Sequence, residues 1–234
     1  MQQADRGGGK TTTGHKCWEV MTRPKVLAAL DGQPGFVAPR YTRAGRTTDA
    51  LLRAGRELLS VRALDSVTIQ EICAAACVTT GAFYGRFDSK EAFFRAMQAV
   101  AEEDSRDAMQ ARLAALKEGE WTLETGIHAL LAELRRVVLR HQGVLRATIL
   151  EAHGTTWPRM KEGRYAFIEE AVPVLLRLYE GADPLLAEQR IRIAFQFAIG
   201  SIINAMLNNP GPLRLASREF DEELARAFRA YLSA

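Results

Sequence analysis

The chain has 234 residues, long enough for one large domain or two modest ones. Its apolar fraction of 47% supports a sizeable core, which excludes a chain that is disordered throughout. The net charge of +3 is too small for a purely electrostatic polyanion binder. The charge is uneven, because residues 1–100 hold 14 basic and 9 acidic residues whereas residues 101–234 hold 17 and 19. This asymmetry indicates a polyanion-facing module joined to a second unit.

The cysteine content and the apolar runs indicate the compartment. Three cysteines form an odd, sparse set, which fits a reducing compartment better than a disulfide framework. The N-terminus lacks the apolar stretch of a secretory signal. The longest uncharged run, residues 193–213, contains about 15 helical residues, fewer than the roughly 20 that span a bilayer. We therefore expect a cytoplasmic protein with no membrane partner.

Residues 1–44 are predicted to form a flexible basic arm. Glycine, threonine and proline clusters interrupt any helical period there. Arg40, Arg43 and Arg46 come just before the first helical pattern. They could enter the minor groove of DNA or lie on phosphates, or they could form only a solvated basic linker. The sequence leaves both interpretations open.

From Arg46 onward the apolar residues recur with a helical period, and no stretch alternates like a strand, so the predicted fold class is all-α. Nine helices are expected. Three come first, and a long one runs from Ser89 to Lys117. The remaining five are predicted at residues 122–140, 143–153, 158–180, 184–208 and 217–232.

Three helix starts follow one another closely between Ser66 and Phe94. Residues 68–71 read Thr-Ile-Gln-Glu, a capping box in which the threonine hydroxyl and the glutamate satisfy each other's backbone amides. The helix breaks at residues 77–78, and Thr79 or Thr80 caps a second short helix. Residues 88–91 supply a second capping box, which opens the long helix. Two short helices joined by a tight turn predict a helix-turn-helix at residues 68–87.

The second short helix is too small to build a core, and its residue types suit contact with a duplex. Gly81 and Ala82 are small enough to let the backbone approach DNA closely. This helix has three polar residues that can hydrogen-bond phosphates or base edges: Thr79, Thr80 and Tyr84.

The surroundings of this helix support the same interpretation. Phe83 and Phe87 point the other way and anchor it. Thr68 and Lys90 begin the flanking helices, where they could clamp the DNA backbone on either side. The alternative is a small three-helix subdomain with incidental polar residues.

The segment from Thr68 to Glu91 resembles the signature of the tetracycline-repressor (TetR) family. That signature has a threonine at the first helix start, a glycine-valine turn, a Ser/Thr-x-Gly-x-apolar-Tyr-x-x-Phe run and a Ser-Lys-Glu start. The match covers about residues 45–104. It implies a DNA-binding domain at residues 45–104 with its motif at 68–87, and a helical ligand-binding and dimerisation domain at 105–234.

The resemblance also implies roles for individual residues. Four residues would face the major groove: Thr79, Thr80, Gly81 and Ala82. Tyr84 and Arg86 would contact phosphates, with Thr68 and Lys90 as backbone clamps. Independently of the resemblance, Arg46 is assigned to DNA binding as one of the arginines just ahead of the first helix.

Two residues depart from the family pattern. Cys77 stands where the family usually has glycine in the turn, and a left-handed backbone there would cost cysteine roughly 1 kcal/mol. Arg86 replaces a common histidine or tyrosine, which should strengthen phosphate binding without adding base information.

The last two helices are predicted to form a two-fold dimer face. The helix at 193–207 is apolar almost all round, so it must be covered on every side. Small residues keep part of it slim for close approach by another helix. The alternative is ordinary core within one protomer. The residues assigned to the interface are Ala194, Phe195, Ala198, Ile202, Ala205, Phe220, Leu224 and Phe228.

The middle helices are expected to enclose a pocket, and the family resemblance implies a small-molecule effector, whose identity the sequence does not reveal. No residue is assigned to the ligand beyond a set of candidates. They are Trp121, His128, His141, Trp157, Met160, Tyr165 and Phe167.

Enzyme and metal interpretations find little support. Neither Gly-x-Ser-x-Gly nor His-Glu-x-x-His occurs, and the four histidines lack a metal-ligand spacing. Cys73 and Cys77 lie four residues apart without a further ligand nearby, so both are interpreted as small buried hydrophobes. We therefore expect no cofactor, no metal and no catalytic site.

The combined interpretation is a homodimeric TetR-type transcriptional regulator. It would be a repressor that binds a near-palindromic double-stranded DNA operator and is released by a small molecule. The alternative is a small-molecule-binding helical protein with a vestigial DNA-binding head, and a third possibility is an enzyme of unknown type. Residues 40–62 hold six arginines against two acidic residues, which a vestigial head would have little reason to retain.

Overall fold

The computed structural model describes residues 23–39, 42–150, 156–181 and 183–233. Within these ranges it contains ten α-helices and no strand. A short 3₁₀ turn, Leu64–Ser66, follows the second helix. The helices are α1 (Arg23–Leu30), α2 (Thr42–Val61), α3 (Ile69–Ala75), α4 (Thr80–Tyr84), α5 (Lys90–Glu118), α6 (Leu123–Arg140), α7 (Gln142–Leu150), α8 (Thr156–Arg177), α9 (Pro184–Asn208) and α10 (Arg218–Ser233).

The all-α prediction is confirmed, and the nine predicted helices correspond to α2–α10. The two ends of α9 illustrate why the boundaries could be located. Asp183 caps its start by accepting a hydrogen bond from the amide of Leu186, and Pro184 occupies the first turn, where its missing N–H costs nothing. The helix ends at Asn209, which adopts a left-handed conformation with φ of 43°.

The first domain packs α2, α3 and α4 against the N-terminal half of α5. Its core is rich in phenylalanine, since Phe83, Phe87 and Phe93 are all buried and their rings contact one another. Leu51 and Leu59 of α2 are buried in the same core. A short recognition unit is thereby held rigidly on a long helix.

The second domain packs α6, α8, α9 and α10 around the C-terminal half of α5. Leu116, Leu130, Leu175 and Phe195 lie at its centre. The helix α5 contributes to both cores without interruption. The predicted boundary between residues 104 and 105 therefore falls inside a continuous helix rather than in a linker.

The predicted flexible arm at residues 1–44 is corrected for the part that the structure describes. Residues 23–30 form α1, which packs on α5 and α2, and Leu30 is fully buried. The prolines misled the prediction, because Pro24 lies in the first turn of a helix, where proline is tolerated. Residues 1–22 lie outside the described chain.

Among the described helices, α9 alone is long and apolar enough to cross a membrane by length and composition. The uncharged part of α9, about 15 residues, is shorter than the whole helix of 25 residues. In the structure α9 packs against α7, α8 and α10. Ile191, Ala194 and Phe195 are buried there, as expected for the central helix of a helical domain.

Candidate nucleic-acid interface

The helix-turn-helix predicted at residues 68–87 is present, and its first helix starts as the sequence indicated. The Thr68 hydroxyl accepts a hydrogen bond from the Glu71 amide at 3.2 Å. The Glu71 carboxylate accepts a hydrogen bond from the Thr68 amide at 2.8 Å, which completes the capping box. The second helix is capped by Thr79, whose hydroxyl accepts a hydrogen bond from the Ala82 amide at 3.2 Å.

The recognition helix α4 has two distinct sides. On the inner side Phe83 is completely buried, and its ring lies 5.4 Å from that of Phe93 on α5. On the outer side Thr79, Thr80 and Gly81 are exposed. Tyr84 is 54% exposed, and Ala82 is half-buried at the edge of the same surface. The polar residues predicted to contact DNA therefore lie on one free surface held by aromatic anchors.

Gly81 is not required by the fold. A Cβ atom built at this position would meet nothing nearer than the Thr79 hydroxyl, at 3.8 Å. Glycine in a helix is less favourable than alanine by roughly 0.5–1 kcal/mol. A glycine that weakens the helix without relieving a clash inside the protein favours a close approach from outside.

The turn between α3 and α4 has the left-handed conformation that a family glycine at this position implies. Cys77 has φ of 54°, and its side chain is exposed. The prediction that both Cys73 and Cys77 are buried is therefore wrong for Cys77. Burial raises the pKa of the Cys73 thiol. No cluster of three or more metal-ligating side chains occurs in the described part of the chain.

An ion pair neutralises the carboxylate at the start of α3. A guanidinium nitrogen of Arg62 lies 2.6 Å from the Glu71 carboxylate. The hydrogen bond from Arg62, followed by those from the Thr68 amide and hydroxyl, lowers the pKa of Glu71 to about 2. The carboxylate stays ionised but is matched by a cation. This arrangement limits its repulsion of a phosphate backbone near Thr68.

The remaining predicted contacts lie around this surface. Arg46 is exposed on α2, and Thr68 is exposed at the start of α3. Lys90 is half-buried at the first position of α5, next to Ser89, which caps that helix. The second capping box predicted for residues 88–91 forms only in part, because Ala92 occupies the position where a glutamate would reach back.

Arg86 is held at the end of the recognition unit rather than extended into solvent. Its guanidinium donates to the Gly85 carbonyl at 2.8 Å and to the Val37 carbonyl at 3.4 Å. The second carbonyl belongs to the N-terminal segment, which the sequence placed in a flexible arm.

A cavity of about 560 Å³ opens between α5, α6, α7, α8 and α9 in the second domain. Its wall is mainly aliphatic, and charged side chains of α5 and α8 surround part of it. Among the seven candidates from the sequence, Met160 and Phe167 line it. Trp121 and His128 line a separate groove between α6 and α10, and Tyr165 is 59% exposed. The side chain of Trp157 lies outside the described ones.

The seventh candidate, His141, is buried in an ionic cluster instead. Its ring lies 2.8 Å from the Asp104 carboxylate, which also accepts a hydrogen bond from Arg140 at 2.7 Å. Burial lowers the pKa of His141 against the opposing influence of Asp104. Burial raises the pKa of Asp104, but the hydrogen bonds from His141 and Arg140 hold it at about 2. The cluster ties α5 to the end of α6.

The helix α7 contacts both the cavity and the DNA-binding domain. Arg146 donates to the Leu59 carbonyl at 2.9 Å and to the Arg62 carbonyl at 3.2 Å, at the C-terminal end of α2. Gly143 lies so close that a Cβ there would fall 2.3 Å from the backbone of Leu59. On another face, Thr148 lines the cavity and accepts a hydrogen bond from Gln98 at 2.9 Å.

The residues assigned to a dimer face are core residues of one protomer. Seven of them are buried, and Leu224 is half-buried against the same clusters. Phe195, for example, contacts the rings of Phe167 and Phe228 inside the domain. A helix that is apolar all round does not reveal which side faces its own domain. The uncovered side of α9 carries Phe197, which is 57% exposed.

The geometry defines a helix-turn-helix DNA-binding domain joined to a helical domain with a cavity. Residues 51–97 match the family model described as "Bacterial regulatory proteins, tetR family". The N-terminal domain therefore matches the DNA-binding domain that this family model describes. Comparison with curated proteins found no match.

Solved structures of tetR-family regulators share the fold over about four fifths of this chain. A transcriptional regulator from Mesorhizobium loti is 18% identical with a TM-score of 0.59, and the match covers 82% of this chain and 98% of that one. The regulator PfmR from Thermus thermophilus is 15% identical with a TM-score of 0.55, covering 79% and 97%. A tetR-family regulator from Streptomyces coelicolor is 19% identical with a TM-score of 0.54, covering 80% of each chain. At these identities the likeness concerns the fold.

Proposed function

We propose that this protein is a cytoplasmic, homodimeric transcriptional repressor that binds a near-palindromic operator and dissociates when a small molecule occupies its cavity. The observation that carries the proposal is the exposed surface of α4. Thr79, Thr80 and Gly81 face outward there, while Phe83 fixes the helix from behind. A Cβ at Gly81 would meet nothing nearer than 3.8 Å inside the protein, so the backbone there is open to close approach by a ligand.

On DNA, α4 would lie in the major groove. The Thr80 hydroxyl and methyl suit a base edge and a thymine methyl, whereas Tyr84 and Arg86 suit phosphates. Thr68 and Lys90, at the starts of α3 and α5, would hold the backbone on either side. This division assigns sequence reading to Thr79–Ala82 and affinity to the surrounding groups.

A dimer would bring two such surfaces about 34 Å apart, one helical turn of DNA. The surface available for it is the uncovered side of α9 and α10. Phe197 is exposed there, and its ring lies 5.4 Å from that of Tyr231 on α10. Gly200, Ser201 and Asn204 continue the exposed side of α9, where small residues allow another helix to come close.

The cavity would hold the effector, and α7 would carry its effect to the head. A volume of about 560 Å³ suits a small organic molecule with a mainly apolar body. Residues of α7 line the cavity on one side and bind the end of α2 on another. A ligand that fits only one position of α7 would bias the position of α2, and with it the spacing of the two heads.

The test is selection of binding sites from a random duplex library with the purified full-length chain, followed by fluorescence anisotropy at two salt concentrations. We expect enrichment of one near-palindrome that resists excess random competitor. Binding without enrichment that collapses with salt would contradict the proposal and favour a vestigial head. Thr80→Ala provides a matched variant, because Thr80 is exposed and the loss of its side chain leaves the Thr79 cap intact.

A further inference from the structure

A short N-terminal segment is hydrogen-bonded to the end of the helix-turn-helix. We call residues 35–37 the strap. The Val37 amide donates to the Arg86 carbonyl at 2.8 Å, and the Asp88 amide donates to the Gly35 carbonyl at 3.0 Å. These two bonds flank an antiparallel bridge between Phe36 and Phe87.

The aromatic rings reinforce the backbone contacts. The ring of Phe36 lies 5.5 Å from that of Phe87 and packs against the first core. Phe87 in turn contacts Phe93 of α5 at 5.0 Å. The strap therefore continues the aromatic cluster that supports α4 from behind.

Gly35 is the position that lets the strap come this close. It has φ of +77°, and a Cβ there would lie 2.7 Å from the Cβ of Ala92 on α5. Upstream, α1 anchors the segment through the buried Leu30 and an ion pair between Lys25 and Asp107. The strap is thus fixed on α5 at one end and on the turn after α4 at the other.

We propose that the strap is a positioning element for DNA binding, which holds the turn after α4 and fixes the Arg86 guanidinium at the edge of the DNA-facing surface. The inference rests on the proposed DNA-binding function. Its basis is that Arg86 is bonded to the strap twice, by its carbonyl to the Val37 amide and by its guanidinium to the Val37 carbonyl. Only one guanidinium nitrogen serves the Gly85 and Val37 carbonyls. An arginine carries five N–H donors, so others stay available for a phosphate.

The physical effect is pre-organisation. A free arginine side chain loses rotamer freedom when it binds a phosphate, whereas one already fixed on the protein loses less. Loosening the strap should therefore weaken operator binding by roughly 5- to 30-fold, the range that such rotamer entropy accounts for.

Two glycine variants provide a matched test in the full-length chain. Gly35→Ala places a methyl group against Ala92 and should displace the strap. Gly32→Ala is the control, because Gly32 also has a positive φ of +70° but nothing lies within 4 Å of its Cβ position. We expect Gly35→Ala to lose operator affinity and Gly32→Ala to keep it. Phe36→Ala is a second strap variant, used if Gly35→Ala fails to fold.

A double-mutant cycle separates positioning from general destabilisation. If the strap acts through Arg86, the loss in affinity from Gly35→Ala should largely disappear in an Arg86→Ala background. Arg86→Ala keeps the backbone hydrogen bond from the Val37 amide to the Arg86 carbonyl, so losses that simply add would overturn the proposed fixing of the guanidinium.

Amide hydrogen exchange without DNA gives a readout that does not depend on the proposed function. Exchange of the Asp88 amide should accelerate in the strap variants and not in Gly32→Ala. Accelerated exchange with unchanged operator affinity overturns the inference but leaves DNA binding standing. Unchanged exchange in both strap variants overturns it as well. A wild-type chain that selects no DNA site contradicts the proposed function itself.

Discussion

Replacing Gly81 by alanine separates the needs of the fold from those of DNA binding. Gly81 is exposed on α4 in ordinary helical conformation, and an added Cβ would meet only the Thr79 hydroxyl at 3.8 Å. Alanine is the better helix former by roughly 0.5–1 kcal/mol. We therefore expect Gly81→Ala to leave the free energy of unfolding unchanged or to raise it by up to about 1 kcal/mol.

Operator binding should change in the opposite direction. If the backbone at Gly81 lies against the duplex, a methyl group forces the recognition helix outward and disturbs the contacts of Thr79 and Thr80. Losing one good base contact costs about 1–3 kcal/mol, or about 5- to 150-fold in affinity. Urea denaturation would measure the first effect, and fluorescence anisotropy on the selected operator the second.

The control is Gly163→Ala on α8. Gly163 is an exposed helical glycine with nothing within 4 Å of its Cβ position, and it lies in the second domain. Because it is among the residues that line the cavity, operator affinity is measured without any added ligand. This variant should gain similar stability and keep operator affinity. If Gly81→Ala binds the operator as tightly as wild type, α4 does not approach DNA through this residue and the reasoning is refuted.

Three further predictions concern single residues. Thr80→Ala should weaken operator binding more than binding to random DNA, and equal losses in anisotropy would refute a base-reading role. Cys77→Gly should raise the free energy of unfolding by about 1 kcal/mol, because φ of 54° strains a cysteine but not a glycine; unchanged urea denaturation would contradict this. Asp104→Asn should lower the free energy of unfolding by about 2 kcal/mol, because a neutral amide at this position could not balance the half-buried charge of Arg140. Since the pKa of Asp104 is about 2, below the ordinary 3.8, its contribution is present above about pH 4 and lost as the pH falls toward 2. Urea denaturation at a series of pH values would show this loss in wild type, and a loss of equal size in Asp104→Asn would contradict it.

The helix-turn-helix was predictable because its signals are local. The Thr68 capping box, the Thr79 cap and the left-handed turn at Cys77 each depend on residues within four positions of one another. Such contacts join residues close in sequence, so a sequence pattern is sufficient to locate them. The exposed and buried sides of α4 follow once Phe83 is recognised as an anchor.

The features that the sequence did not reveal depend on long-range contacts. His141 is paired with Asp104 across 37 positions, and the strap is paired with Arg86 across 49. Neither contact has a periodic signature. The side of α9 that faces its own domain was also hidden, because apolar residues on all sides carry no direction. Only the three-dimensional packing shows that Phe195 is inside and Phe197 outside.

The way α7 is packed limits how an effector could act. Gly143 leaves no room between α7 and the backbone of Leu59, and Arg146 occupies carbonyls at the end of α2. A shift of α7 toward the head would therefore press directly on the end of α2. Thr148, further along α7, lines the cavity and is bonded to Gln98 of α5. A ligand that separates Gln98 from Thr148 would thus act on the two helices that join the domains. Because the effect of a ligand equals its differential affinity for the two arrangements, this contact is where effector chemistry should be expressed as a change in operator affinity.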